Sequence, residues 1–106
     1  MVQNLDMLKG IILSIIDDSF DLDVLPFYRH CDDLRQEAEI FVSLYPDQAQ
    51  HYLTQGKITL YNTRLLIIDH LSEVNKKTAK NLKIVEVALI KLYDNFSEML
   101  LEIEKP

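Results

Sequence analysis

A chain of 106 residues, 48% hydrophobic and 26% charged, has the composition of one small folded domain rather than a disordered segment. Two glycines and three prolines are too few for the tight turns of a β-sandwich or barrel, and a single cysteine excludes an internal disulfide framework. The formal net charge of −6 has the wrong sign for a dedicated nucleic-acid binder. The acid is concentrated in residues 1–53, with ten Asp/Glu against three Lys/Arg, whereas residues 54–106 carry seven against eight.

Leu5, Leu8, Ile12 and Ile15 recur at helical spacing, widened by Met7, Ile11 and Ile16, and predict a first amphipathic helix with Asn4 as its cap. The apolar run from Ile11 to Ile16 is too short for a signal-peptide core and runs into Asp17 and Asp18. No run approaches the roughly 20 apolar residues that span a bilayer, so the expected location is cytoplasmic. Residues 17–23 read as a short acidic linker. Asp17, Ser19, Asp21 and Asp23 alternate like the ligands of a calcium loop, but Leu22 stands where that loop needs glycine. Tyr28 stands where a bidentate glutamate would close the cage.

A second helix is expected to open with Pro26 in its first turn and Asp23 just ahead of it. Phe27, Cys31, Leu34, Ala38, Phe41 and Tyr45 hold helical spacing until Pro46, which ends the helix because the residue before proline avoids the α region. Asp47 then caps a short segment through Ala49, Tyr52 and Leu53, with Gly56 as its natural stop. From Lys57 onward there is no glycine and no proline before Pro106. Ile58, Tyr61, Leu65, Ile68 and Leu71 predict one apolar stripe; Leu82, Val85, Leu89, Leu92, Phe96, Met99 and Ile103 predict another. The polar residues 73–81 between them are a turn or the solvated waist of one long helix, and the absence of a breaker favours a long or gently interrupted helix. Lys57 to Thr63 has strand-like alternation, but a lone strand would have no partner. The expected fold is all-α: one domain over residues 1–106, a small antiparallel bundle of three to five helices, ending in one long helix or a helical hairpin.

The side chains that carry chemistry are scattered. His30, His51 and His70 show no metal-ligand spacing, and His70 with Glu73 supplies two ligands at most. Cys31 follows His30 directly, about 100° away around a helix, and shares a face with Phe27 and Leu34; it reads as a buried structural thiol. Lys76, Lys77, Lys80 and Lys83 form a basic cluster without interleaved aromatics, the pattern of a solvated face. No cofactor and no metal is expected, and two glycines exclude a phosphate-cradling loop.

The stretch Arg64-Leu-Leu-Ile-Ile-Asp-His70 resembles the arginine–histidine signature of HEPN ribonucleases, helical and often dimeric proteins of similar size. That resemblance implies metal-independent RNA cleavage by Arg64 and His70, with Leu65 departing from the family's polar residue. The region from Leu34 to Phe96 is similar in outline to export chaperones of flagellar and type III secretion systems, which hold an amphipathic helix of a secreted protein. An immunity or inhibitor protein of bacterial or phage origin fits the same outline.

The last helix is apolar on more than one stripe, with Ile84, Val87, Ala88, Ile90, Tyr93, Leu100 and Leu101 added to the stripe that begins at Leu82. Such surplus points to a non-enzymatic interaction module, a chaperone or adaptor binding an amphipathic helix, or a self-associating regulator. The expected contact residues are Leu89, Leu92, Tyr93, Phe96 and Leu100. The expected partner is another protein or a second copy in a dimer, with neither nucleic acid nor membrane.

Overall fold

The computed structural model describes residues 2–17 and 25–104, and places four helices and no strand among them. Helix α1 spans Val2–Ile16, α2 Leu25–Leu44, α3 Pro46–His70 and α4 Lys76–Glu104. The acidic linker beyond Asp17, with Ser19, Asp21 and Asp23 of the calcium-loop pattern, lies outside the described residues. Helix α1 begins ahead of Asn4, which is therefore inside the helix rather than at its cap.

The molecule is a rod, 48 × 21 × 17 Å, built around the hairpin of α3 and α4. Gly56 meets Phe96, Lys57 meets Tyr93 and Arg64 meets Glu86, so the two helices run antiparallel in fixed register. Helix α2 turns into α3 at Tyr45, which takes the N-cap position without a side-chain cap, and Pro46 occupies the first turn. Asp47 contributes charge to that turn but is not the cap the sequence suggests.

One apolar stripe from each helix closes the core. Leu5, Leu8, Ile12 and Ile15 come from α1, and Phe27, Cys31, Leu34 and Ala38 from α2. Helix α4 contributes Leu82, Val85, Leu89, Leu92 and Phe96, the stripe its spacing predicts. Rings tie the helix ends together: Phe41 stacks on Tyr52 at 4.1 Å between centroids, and Tyr52 lies 6.5 Å from Phe96. Burial pushes the Tyr52 phenol up to about 12, with the charge of Glu37 adding to the shift.

Three expectations for the second half are corrected. Helix α3 does not stop at Gly56 but runs through it, because the residue serves packing rather than termination. A Cβ there would press into the Phe96 ring, 2.9 Å from Cδ2 and closer still to Cε2. The long helix is broken at residues 71–75, where the Glu73 amide donates to the His70 carbonyl at 3.1 Å. Asn75 restarts the chain as α4, its side-chain oxygen accepting the Thr78 amide at 2.8 Å. Lastly, the stripe of α3 that enters the core is Ala49, Leu53, Gly56, Leu60, Thr63 and Ile67, not the one begun by Ile58. Thr63 is tolerated there because its hydroxyl donates to the Thr59 carbonyl at 2.8 Å, leaving its methyl to pack.

Candidate partner-binding face

Because α3 buries the stripe through Leu60, its second apolar stripe faces out. Ile58, Tyr61, Leu65 and Ile68 follow one another at intervals of three, four and three residues, the spacing of a helix–helix seam. Their exposure runs from 38% at Leu65 to 51% at Tyr61. Isolated exposed apolar residues are ordinary; four in register along one helix are a patch.

Beside this stripe, α3 and α4 leave a groove in two parts that share Tyr61 and Tyr93. One, of about 240 Å³, is floored by Leu60 and Leu89 and walled by Ile90, Arg64 and Asp94. The other, of about 300 Å³, is bordered by Thr54, Lys57, Ile58 and Leu100. The rim is polarised across the groove. Lys57 and Arg64 stand on the α3 side, and Asp94 on the α4 side. Lys57 is held by its own contact, with Nζ 4.9 Å from the centroid of the Tyr93 ring. Arg64 Nε lies 3.6 Å from Glu86 Oε2 and is buried with no hydrogen-bond partner.

The residues expected to meet a partner divide in this fold. Leu89, Leu92 and Phe96 are within 2% of full burial and belong to the chain's own core. Tyr93 and Leu100 are half-buried and border the groove. The residues that sequence reasoning missed as surface are Ile58, Tyr61, Leu65 and Ile68. The signal that could have found them is the presence of two offset apolar stripes on α3, of which a bundle can bury only one.

The candidate catalytic side chains each contact other groups. Arg64 faces Glu86, while His70 Nδ1 lies 2.8 Å from the carbonyl of Leu66 on its own helix. Cys31 is buried, and desolvation pushes its thiol up to about 12, far from the range in which a thiolate would form. No group of three or more His, Cys, Asp or Glu side chains able to hold a metal ion occurs among the described residues. No helix among them is long and apolar enough to cross a membrane. No protein-family model, curated protein or solved structure matches the chain.

Proposed function

We propose that this chain is a non-catalytic protein-interaction module, of the adaptor or chaperone kind, whose α3–α4 face takes an amphipathic helix. The observation that carries the reading is the exposed run Ile58, Tyr61, Leu65 and Ile68 beside the groove between Tyr61 and Tyr93. A helix laid into a groove engages it through side chains one turn apart, which is the spacing this face offers. Burial supplies the affinity, at roughly 25 cal/mol per Å² of apolar surface less the cost of ordering. The polarised rim supplies selectivity, because a helix with charges on the wrong flank meets its own sign.

The test separates this face from the core. Ile58→Asp with Leu65→Asp places charge on exposed positions, so the helical signal should be unchanged and the stability should stay within about 1 kcal/mol of wild type. The tagged chain, purified from its own cell alongside an untagged copy, should then lose the polypeptide that wild type retains. Leu92→Asp should unfold the protein instead. Retention of the same polypeptide by the folded double variant would refute the reading.

A further inference from the structure

We infer that the outward side of α4, which borders the groove at Ile90 and Asp94, packs antiparallel against α4 of a second copy of the same chain; this rests on the reading above and names its partner. The charge pattern of α4 is unfavourable for an isolated helix. Lys76, Lys80 and Lys83 lie in its first turns and Asp94 and Glu98 in its second half, all exposed. At three- and four-residue spacing like charges are neighbours on a helix and repel. The ends are also reversed against the macrodipole, with no acid in the first turn and no base in the last. Lys80, Lys83, Asp94 and Glu98 stand in none of the ion pairs of the described residues.

A second α4 running the other way removes both penalties. Residues 76, 80, 83, 87, 90, 94, 98 and 101 fall within an arc of about 80° on the outward side of the helix. A two-fold axis beside the Ala88–Leu89 peptide sets Lys83 against Asp94 of the second copy, and Lys80 against Glu98. Each opposition occurs twice. At the centre Val87 meets Ile90, and the stem of Lys76 lies over Leu101. Val87 and Leu101, 60% and 61% exposed, are among the large apolar side chains that the single chain leaves uncovered. Around Val87 and Ile84, α4 forms a shallow depression of about 470 Å³ fringed by lysines, which suits an acidic helix carrying an apolar residue. The C-terminal half of α4 is such a helix. Ile90 and Asp94 of this seam also line the groove beside Tyr61 of α3, so seam and groove adjoin.

The experiment is a charge exchange followed by mass measurement in solution. Wild type should scatter light as twice the 12.4 kDa chain, in a manner weakened by salt. Lys80→Glu/Lys83→Glu should lower affinity about tenfold or more, since four attractive oppositions become repulsive. Asp94→Lys/Glu98→Lys should do the same. Mixing the two variants should restore the dimer as a heterodimer, because each end then joins opposite charges. Both must keep the wild-type helical signal. A wild type that stays monomeric, or a dimer indifferent to both reversals, overturns the inference. In that event the capture assay with Ile58→Asp/Leu65→Asp decides the parent reading: release of a different polypeptide leaves it standing, and no release ends it as well.

Discussion

The α3–α4 hairpin and α1 bear on the same core in different ways, and their glycines show it. In the hairpin the helices approach until the space of a missing Cβ on Gly56 is filled by the ring of Phe96. In α1 a single stripe through Leu8 and Ile12 rests on the core, and Gly10 lies exposed with nothing within 4 Å of where its Cβ would stand. A glycine inside a helix lowers stability by roughly 0.5–1 kcal/mol relative to alanine. At Gly56 that cost is offset by interlocked packing. At Gly10 nothing in the structure offsets it. The same residue is a shape requirement in one region and a plain loss in the other.

The largest effect comes from breaking the hairpin's side of this comparison. Gly56→Ala should destabilise by about 1–3 kcal/mol, the cost of overpacking a filled core exceeding the gain in helix propensity. For a domain of this size the thermal midpoint falls by about 4–8 °C per kcal/mol. Phe96→Leu, which removes the obstructing ring edge, should absorb most of that loss. The two substitutions would then be non-additive by about 1 kcal/mol or more in a double-mutant cycle. Additive behaviour would show that the ring is not what Gly56 accommodates.

The all-α architecture was legible because each of the four helices places one apolar stripe inward, and for α1, α2 as far as Phe41, and α4 the spacing found it. Helix α3 was not readable in this way. Its core stripe interrupts Leu53, Leu60 and Ile67 with Ala49, Gly56 and Thr63, residues with little apolar weight, while the uninterrupted run Ile58, Tyr61, Leu65 and Ile68 lies outside it. Ranking by hydrophobicity selects the wrong face when the right one is chosen by close approach. Gly56 misled for the same reason, since a residue that permits contact and a residue that ends a helix are the same letter. The turn at 71–75 was marked by Asn75 alone, a cap without glycine or proline beside it. Of the expected contact residues, Tyr93 and Leu100 lie at the groove, and the buried Leu89, Leu92 and Phe96 followed from reading the strongest stripe as the available one.

A smaller change tests how the hairpin is closed. Asn75→Ala removes the acceptor that holds the Thr78 amide at 2.8 Å and should cost about 1 kcal/mol. Asn75→Asp keeps an oxygen in the same place, adds negative charge at the helix start, and should hold the wild-type midpoint or raise it. If alanine and aspartate behave alike, the cap contributes nothing and the hairpin is set by core packing alone.

The smallest effect, and the one that completes the contrast, has the opposite sign. Gly10→Ala should stabilise by about 0.5–1 kcal/mol, because alanine restricts the unfolded chain and the new methyl meets no neighbour. The hydroxyl of Ser14 donates to the backbone carbonyl of residue 10 at 3.0 Å, and that bond survives the substitution. The expected reading is an upward shift of a few degrees with unchanged helical signal, against the downward shift of Gly56→Ala measured under the same conditions. A loss at Gly10 would mean that α1 is covered there by something the single chain lacks. The side of α1 carrying Met7 and Leu13, both exposed, would then be the next surface to probe for a second contact.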